Sequence, residues 1–156
     1  MSAVLNQGFM VFRPMIEEDL PAILQVEQAA YDFPWAEGVF LDCLRVGYCC
    51  WVLELDDILV AHGVMSVAAG ESHILNLCVH PQSQNMGLGK EMLEHLLTIA
   101  QQHRAEIIFL EVRPSNDIAI KLYQNAGFDE VGIRSDYYPA TSGREDAVIM
   151  ARNLTT

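Results

Sequence analysis

The spacing of hydrophobic residues predicts alternating strands and helices along the chain. Leu20, Ile23 and Leu24 recur at the spacing of one buried helix face, whereas residues 107–112 form an apolar run interrupted only by Glu111. We predict strands at 8–13, 48–55, 58–67, 72–79, 107–112, 128–133 and 147–152, and helices beginning near residues 17, 36, 88 and 116. The order β-α-α-β-β-β-α-β-α-β-β indicates an α/β fold with a mixed, mostly antiparallel sheet of about seven strands flanked by four helices.

Two of the predicted loops are rich in aromatic residues. The segment Tyr31–Trp35 holds three aromatic rings and a proline between the first two helices, and an aromatic and polar loop from Tyr137 to Asp146 separates the last two strands. The Tyr31–Trp35 segment either folds onto the core or forms the wall of a binding site, and the sequence leaves both interpretations open.

A glycine-bearing turn, Gln84–Lys90, lies between the fourth strand and the third helix. The first N–H groups of a helix have no partner within it, and they lie at the positive end of the helix dipole, so such a turn can bind phosphate oxygens. Gly87 and Gly89 also fit a plain turn. The segment matches neither the nucleoside-triphosphate loop nor the dinucleotide pattern. The strand that follows the third helix should lie parallel to the fourth, which would leave a crevice where ligands bind.

Length and composition predict one globular domain spanning residues 1–156. The chain is 51% hydrophobic and 19% charged, which excludes a disordered chain. Its net charge of -12 argues against binding nucleic acid and suits a basic partner. No apolar run is long enough to cross a membrane, and Met1–Gln7 lack the features of a secretory signal. We therefore expect a soluble cytoplasmic protein, and the oligomeric state stays open.

The cysteines and histidines show no pattern of metal ligands. Four cysteines lack paired spacing, so free, buried thiols in a reducing compartment are the better interpretation. The five histidines have no ligand spacing either, and we predict no metal. Cys78 could suggest a nucleophile, but no histidine stands in a pattern that would activate it.

Two polar residues on otherwise apolar elements are candidates for chemistry. Glu111 is the one acid of its strand, and Tyr123 lies on the inner stripe of the fourth helix. A lone glutamate in a strand often belongs to a solvated face, and a tyrosine at helical spacing often packs in the core. The residues alone leave these structural interpretations beside the catalytic ones.

Several motifs together resemble the Gcn5-related N-acetyltransferases (GNAT). That family's acetyl-CoA loop reads Gln/Arg-x-x-Gly-x-Gly/Ala, and residues 84–89 match it at each fixed position. Leu77–Pro81 before the loop, and Asn116 with Ala119, Tyr123 and Gly127-Phe128 after it, fit the same family, so the resemblance covers nearly the whole chain. It implies a single-domain GNAT fold and acetyl-CoA as cosubstrate, with no metal.

A narrower resemblance is to the bacterial ribosomal-protein alanine N-acetyltransferases. It is carried by Phe33-Pro34-Trp35, Leu110–Asn116, Tyr137-Tyr138-Pro139 and Gly143–Ala147. It implies acetylation of the N-terminal amine of a small-subunit ribosomal protein, with Glu111 as general base and Tyr123 as general acid. It also implies acetyl-CoA contacts from Leu77, Cys78, Val79, Gln84, Asn85, Met86, Gly87, Leu88, Gly89 and Asn116.

The acceptor is expected to be a basic peptide, because the chain is acidic and its aromatic loops could line a groove. The residues we assign to peptide binding are Trp35, Tyr137 and Tyr138. Acetylation of a small amine and a CoA-binding sensor without turnover are the alternatives. The loop departs from many relatives in carrying Asn85-Met86 where those have Arg or Lys, so we expect weaker acetyl-CoA binding and a gain from Asn85→Arg.

Overall fold

The computed structural model describes residues 9–155. Their helices and strands follow the predicted order. The strands are β1 (Met10–Pro14), β2 (Cys49–Leu55), β3 (Ile58–Ala68), β4 (Glu71–Val79), β5 (Ile107–Val112), β6 (Asp129–Pro139) and β7 (Arg144–Asn153). The α-helices are α1 (Leu20–Ala30), α2 (Glu37–Arg45), α3 (Leu88–Gln102) and α4 (Asp117–Asn125). The predictions for Met1–Gln7 and for Gly8 lie outside the described residues.

The seven strands form one sheet in the order β1-β2-β3-β4-β5-β7-β6. β1 pairs with β2, β2 with β3, β5 with β7 and β6 with β7, all antiparallel. β4 and β5 pair in parallel, with Glu71 opposite Ile107 and Ile74 opposite Leu110. The predicted α/β class, strand number and mostly antiparallel sheet are therefore confirmed among the described residues.

The last hairpin is longer than the sequence predicted. The aromatic loop expected from Tyr137 to Asp146 is wrong, because Tyr138 pairs with Glu145 and Pro139 with Arg144 across β6 and β7. The register shifts between Arg134 and Tyr138, and the Arg144 side chain donates hydrogen bonds to the carbonyls of Asp136 and Tyr137. Most of β6 is exposed, so it lacks the alternation of apolar and polar residues that would have marked it as a strand.

The described residues fall into two compact units, the first made of residues 9–65 with Asn76–Leu96, the second of Ser66–Leu75 with 97–155. In the first unit a core cluster of buried side chains combines β2, β3, α1 and α2; its members are Met15, Leu20, Ile23, Phe40, Cys43, Cys50, Val52 and Val64. A Cβ on Gly63 would lie 3.0 Å from the Leu96 side chain and 3.1 Å from the Met92 side chain, so a larger residue here would require these two side chains of α3 to shift.

The second unit has buried residues of its own on β5, α4 and β7 and just before β6. They include Ile108, Leu110, Tyr123, Phe128 and Met150, and the rings of Tyr123 and Phe128 meet edge to face at 5.8 Å. None of the helices described here is long and apolar enough to cross a membrane.

Candidate active site

The predicted acetyl-CoA loop has the geometry of a phosphate-binding turn. Asn85 and Gly87 have φ values of 67° and 77°, and α3 begins at the next residue, Leu88. Asparagine and glycine are the residues that adopt this left-handed region most readily, which explains their places in the turn. Residues 84–87 are exposed and the start of α3 follows directly, so its N-terminal N–H groups fit a pyrophosphate.

The end of β4 carries the other predicted cofactor residues of the first unit. The Cys78 side chain is buried, and its thiol lies 3.8 Å from the Val26 carbonyl. The carbonyl of Leu77 accepts a hydrogen bond from the Tyr31 hydroxyl at 2.6 Å, and that of Val79 accepts one from Gln84 Nε2 at 3.2 Å. Each of these two carbonyls thus has a side-chain donor, and the contact of β4 with acetyl-CoA stays a prediction.

Glu111 lies on β5 beside a cation. Its Oε2 is 3.1 Å from Nε of Arg134 on β6, and its side chain is 28% exposed. The approach lacks hydrogen-bond alignment, and Oε2 accepts no hydrogen bond from any residue that the structure describes. The predicted lone acid within an apolar strand is therefore half-buried and ion-paired. One of its oxygens has unused capacity to accept a proton or a hydrogen bond.

The predicted peptide residue Tyr138 lies near Glu111. Burial raises the pKa of Tyr138, and the negative charge of Glu111 raises it further. The rings of Tyr137 and Tyr138 meet at 4.9 Å, and Arg134 lies over the Tyr137 ring at 5.0 Å. The second unit thus brings the predicted base and two predicted peptide contacts into one neighbourhood.

A salt bridge that the sequence analysis missed supports this neighbourhood. Arg113 Nη1 lies 3.1 Å from Glu145 Oε1 and donates to the carbonyl of Pro139 at 2.8 Å. Glu145 Oε2 accepts from the Ser115 N–H at 2.9 Å, and the guanidinium lies 4.5 Å from the centre of the Tyr138 ring. These contacts join the end of β5 to the final hairpin and so hold Tyr138 in place.

The two predicted site residues of α4 differ in environment. The Asn116 side-chain oxygen accepts from the Ala119 N–H at 3.1 Å and caps the helix. Tyr123 is buried, and burial raises its pKa to about 12. A hydroxyl with that pKa stays protonated at neutral pH, as a general acid requires.

The aromatic segment between α1 and α2 is held to the first unit at both ends. Trp35 is half-buried with its indole 5.2 Å from the Phe40 ring, while Tyr31 and Phe33 are 37% and 43% exposed. Trp35 therefore packs on the core, and the rings that the segment presents to solvent are those of Tyr31 and Phe33. Whether Trp35 also contacts a peptide stays a prediction.

A buried polar cluster was missed by the sequence analysis. Glu27, His62 and Asn76 are all under 9% exposed, and Glu27 hydrogen bonds to both of the others. The ligand atoms of Glu27, His62 and Cys78 lie within 4.8 Å of one another, a set of residue types that can hold a metal ion. The signal was Glu27 itself, a carboxylate four residues after Ile23 on the buried stripe of α1.

The four cysteines lie within the described residues and form no disulfide there, as expected. Burial raises the pKa of the Cys78 thiol, and the charge of Glu27 raises it further. Burial likewise raises the pKa of Cys50 to about 12. Thiols held in the protonated form are poor nucleophiles, which agrees with a packing role.

Known proteins match this fold and these motifs. A model of the Acetyltransferase (GNAT) family matches residues 12–128. The chain is 41% identical over 133 residues to the ribosomal protein bS18-alanine N-acetyltransferase of Escherichia coli, covering 85% of this chain and 90% of that protein. It is 42% identical over the same length to the Salmonella typhimurium protein of that name.

Solved structures of related proteins agree with the sequence comparisons. The crystal structure of the ribosomal-protein-S18-alanine N-acetyltransferase from Escherichia coli superposes with a TM-score of 0.89 at 37% identity, covering 95% of this chain and 96% of the other. Ard1 from Thermoplasma volcanium shares the fold, with a TM-score of 0.85 at 23% identity. The chain belongs to the GNAT acetyltransferase family.

Proposed function

We propose that the protein transfers the acetyl group of acetyl-CoA to the N-terminal α-amine of a protein, namely alanine of a small-subunit ribosomal protein. The observation that carries the proposal is the 41% identity over 90% of the length of an enzyme named for this reaction. An enzyme with this substrate would work in the cytoplasm.

Glu111 is the proposed general base. An α-amine has a pKa of about 7.7–8.0, so much of it is protonated at neutral pH and cannot attack a thioester. A carboxylate that takes this proton, directly or through a water molecule, leaves the nitrogen lone pair free to attack the thioester carbon. The unused acceptor capacity of Glu111 Oε2 supports this role, because that atom accepts no hydrogen bond from the described residues.

Tyr123 is the proposed general acid. Attack of the amine gives a tetrahedral species with a negative oxygen, which N–H groups of β4 near Leu77–Val79 would stabilise. Its collapse breaks the carbon–sulfur bond, and the CoA thiolate takes the hydroxyl proton of Tyr123. Residues 84–89 and Asn116 are the proposed contacts to acetyl-CoA.

The acceptor is proposed to be a basic peptide. The net charge of -12 favours a cationic partner through long-range attraction. Tyr138 lies near Glu111 and its ring packs against that of Tyr137, so the two rings can flank the first residues of a peptide, and Trp35 is the third proposed contact. We propose no metal for the reaction, because a carboxylate and a phenol supply its proton transfers.

The test is acetyl transfer to a panel of amines, with mass spectrometry locating the label. The panel holds basic peptides with a free N-terminal alanine, the same peptides with a blocked N-terminus, peptides whose only amine is lysine, and polyamines. We expect label on free N-termini alone. Label on polyamines alone would contradict the peptide substrate while leaving an acetyltransferase, and no label with acetyl-CoA still bound would indicate a sensor.

A matched pair of variants tests the base. Glu111→Gln should lose transfer by about 10²-fold or more, the low end for a general base. Glu130→Gln removes an exposed carboxylate from β6, the strand that also carries Arg134, and should keep wild-type rates. Equal activity of the two variants would remove Glu111 from the mechanism.

A further inference from the structure

Glu27 is a buried carboxylate on which three other segments converge. Its side chain is 2% exposed. Oε1 lies 3.0 Å from His62 Nε2 on β3 and accepts from Asn76 Nδ2 on β4 at 3.1 Å. Oε2 accepts from the backbone N–H of Trp35 at 3.0 Å. A carboxylate this deeply buried needs such partners, because removing it from water without them is strongly unfavourable.

The hydrogen bond from the Trp35 N–H differs from the other two because its donor lies on a connecting segment and not on a strand of the sheet. His62 and Asn76 lie on paired strands of the sheet, whose ladders already fix them. Trp35 ends the Tyr31–Trp35 segment, which lies outside regular secondary structure between α1 and α2. Glu27 is thus the point at which the sheet and α1 determine where this aromatic segment lies.

A second hydrogen bond secures the other end of the segment. The Tyr31 hydroxyl donates to the Leu77 carbonyl of β4 at 2.6 Å. Between the two anchors, Asp32, Phe33 and Pro34 are exposed. The segment is therefore held at its ends and presents its middle to solvent, which is the arrangement expected of a surface that receives another molecule.

We infer that Glu27 is a positioning residue for the acceptor: it holds the Tyr31–Trp35 segment in the conformation that receives the substrate peptide. The inference rests on the proposed function for the identity of the acceptor. The hydrogen bond from Tyr31 to the Leu77 carbonyl fixes the other end of the segment. Because Leu77 is also a proposed acetyl-CoA contact, this hydrogen bond connects the Tyr31–Trp35 segment to β4, the strand proposed to contact the cofactor. Phe33, at 43% exposure, is the ring positioned to contact the peptide.

Among the described residues, Glu27 Oε2 is the acceptor of the Trp35 N–H. His62 Nδ1 and Asn76 Oδ1 are buried without a hydrogen-bond partner among the described residues. In Glu27→Gln one oxygen becomes an NH₂ group and the carboxylate is lost, so the hydrogen bond from the Trp35 N–H is either lost or no longer charge-assisted. The segment should then loosen while the size of the side chain stays the same.

The decisive test combines hydrogen exchange with kinetics. In Glu27→Gln, amide exchange at the two N–H groups of 33–35, those of Phe33 and Trp35, should speed up by about tenfold or more, the equivalent of one lost charged hydrogen bond. The KM for the peptide should rise by a similar factor. The KM for acetyl-CoA should stay within about twofold, as for substitutions away from a site. A general loss of folding would instead lower the active fraction and leave both KM values unchanged.

Two tyrosine variants complete the test. Tyr31→Phe removes the hydroxyl that donates to the Leu77 carbonyl and should also raise the peptide KM, so this variant tests the inference if Glu27→Gln fails to fold. Tyr48→Phe removes the hydroxyl of a 41% exposed tyrosine outside the segment and should change nothing. Unchanged exchange and unchanged peptide KM in Glu27→Gln and Tyr31→Phe would overturn the inference.

The exchange measurement is independent of the reaction. If the wild-type protein acetylates no peptide, the proposed function fails, yet faster exchange at 33–35 in Glu27→Gln would still support the positioning role. If the wild-type enzyme is active, but amide exchange at 33–35 is equally slow in the wild type, Glu27→Gln and Tyr31→Phe, the positioning role is wrong. The proposed function would still stand in that case.

Discussion

Nε of Arg134 lies 3.1 Å from Oε2 of Glu111, so the proposed base has a cation beside it before any substrate arrives. The protonated α-amine of a peptide is a second cation that must approach the same carboxylate. Arg134 is 56% exposed, and exposed ion pairs contribute at most about 1 kcal/mol. Arg134 can therefore be displaced at small cost.

The first prediction concerns this pair. Arg134→Gln should change kcat/KM for an alanine peptide by no more than about fivefold, the equivalent of 1 kcal/mol. The expected direction is a lower peptide KM, because a like charge no longer competes for Glu111. Steady-state kinetics at two salt concentrations measure it, and the salt dependence of KM should weaken. A loss of 10²-fold, comparable with Glu111→Gln, would mean that Arg134 contacts the reacting groups.

The second prediction concerns Tyr123. Tyr123→Phe should lower kcat by about 10²-fold or more, as expected for loss of a general acid. Its folded pKa of about 12 exceeds its ordinary value of 10.0, because burial disfavours the phenolate. The stabilisation from the neutral form is therefore fully present below pH 10 and is lost as the pH rises from about 10 towards 12. Thermal unfolding at pH 8 and 11 should show a smaller alkaline loss in Tyr123→Phe.

The pattern of hydrophobic residues was sufficient for the order of elements, and the predicted strands 48–55 and 58–67 left a two-residue turn, Asp56-Asp57, whose φ values are 52° and 67°. The hydrophobic pattern did not predict the length of the last hairpin, because the edge strand β6 is mostly exposed and has no alternation of apolar and polar residues. The motif residues at 84–89 could be found because a turn and a helix start are adjacent in sequence.

The interactions that surround the site could not be found in the same way. Arg113 and Glu145 are 32 residues apart, and Glu27 and Asn76 are 49 apart. Only the folded sheet brings such partners together, and spacing along the chain contains no signal for it. The one local signal was Glu27, a carboxylate on the buried stripe of α1, and the sequence analysis did not interpret it.

The third prediction concerns stability in acid. Both carboxylate oxygens of Asp19 bind the Arg13 guanidinium at 2.7 and 2.8 Å, and Arg13 holds the pKa of Asp19 below its ordinary value of 3.8. This stabilisation is present above pH 3.8 and is lost as the pH falls below it. Asp19→Asn should therefore cost about 2 kcal/mol in urea unfolding at pH 7, and less at pH 3. Asp42→Asn, on an exposed position of α2, is the control, and an equal loss there would contradict the assignment.

The fourth prediction concerns metal at the buried cluster. Both oxygens of Glu27 are engaged by protein hydrogen-bonding groups, so a cation would have to displace His62 or the Trp35 N–H. Dialysis against a chelator should therefore leave both the acetylation rate and the melting temperature unchanged. A fall in both that Zn²⁺ restores would show that Glu27, His62 and Cys78 hold a metal ion.

The fifth prediction concerns the acetyl-CoA loop. An arginine at position 85 or 86 would add a charge-assisted contact to phosphate, and both positions are exposed. We expect Asn85→Arg and Met86→Arg each to tighten acetyl-CoA binding by about fivefold in calorimetry, with the gain disappearing in high salt. Gln102→Arg adds the same charge at the far end of α3 and should give no gain.

The two variants should differ in stability. Asn85 has a φ of 67°, which asparagine tolerates and arginine does not, so Asn85→Arg should cost about 1 kcal/mol of folding free energy. Met86→Arg escapes that cost and is the better test of the charge itself. If Met86→Arg binds acetyl-CoA no more tightly than the wild-type protein does, or if Gln102→Arg gains as much, the pyrophosphate does not lie at this turn.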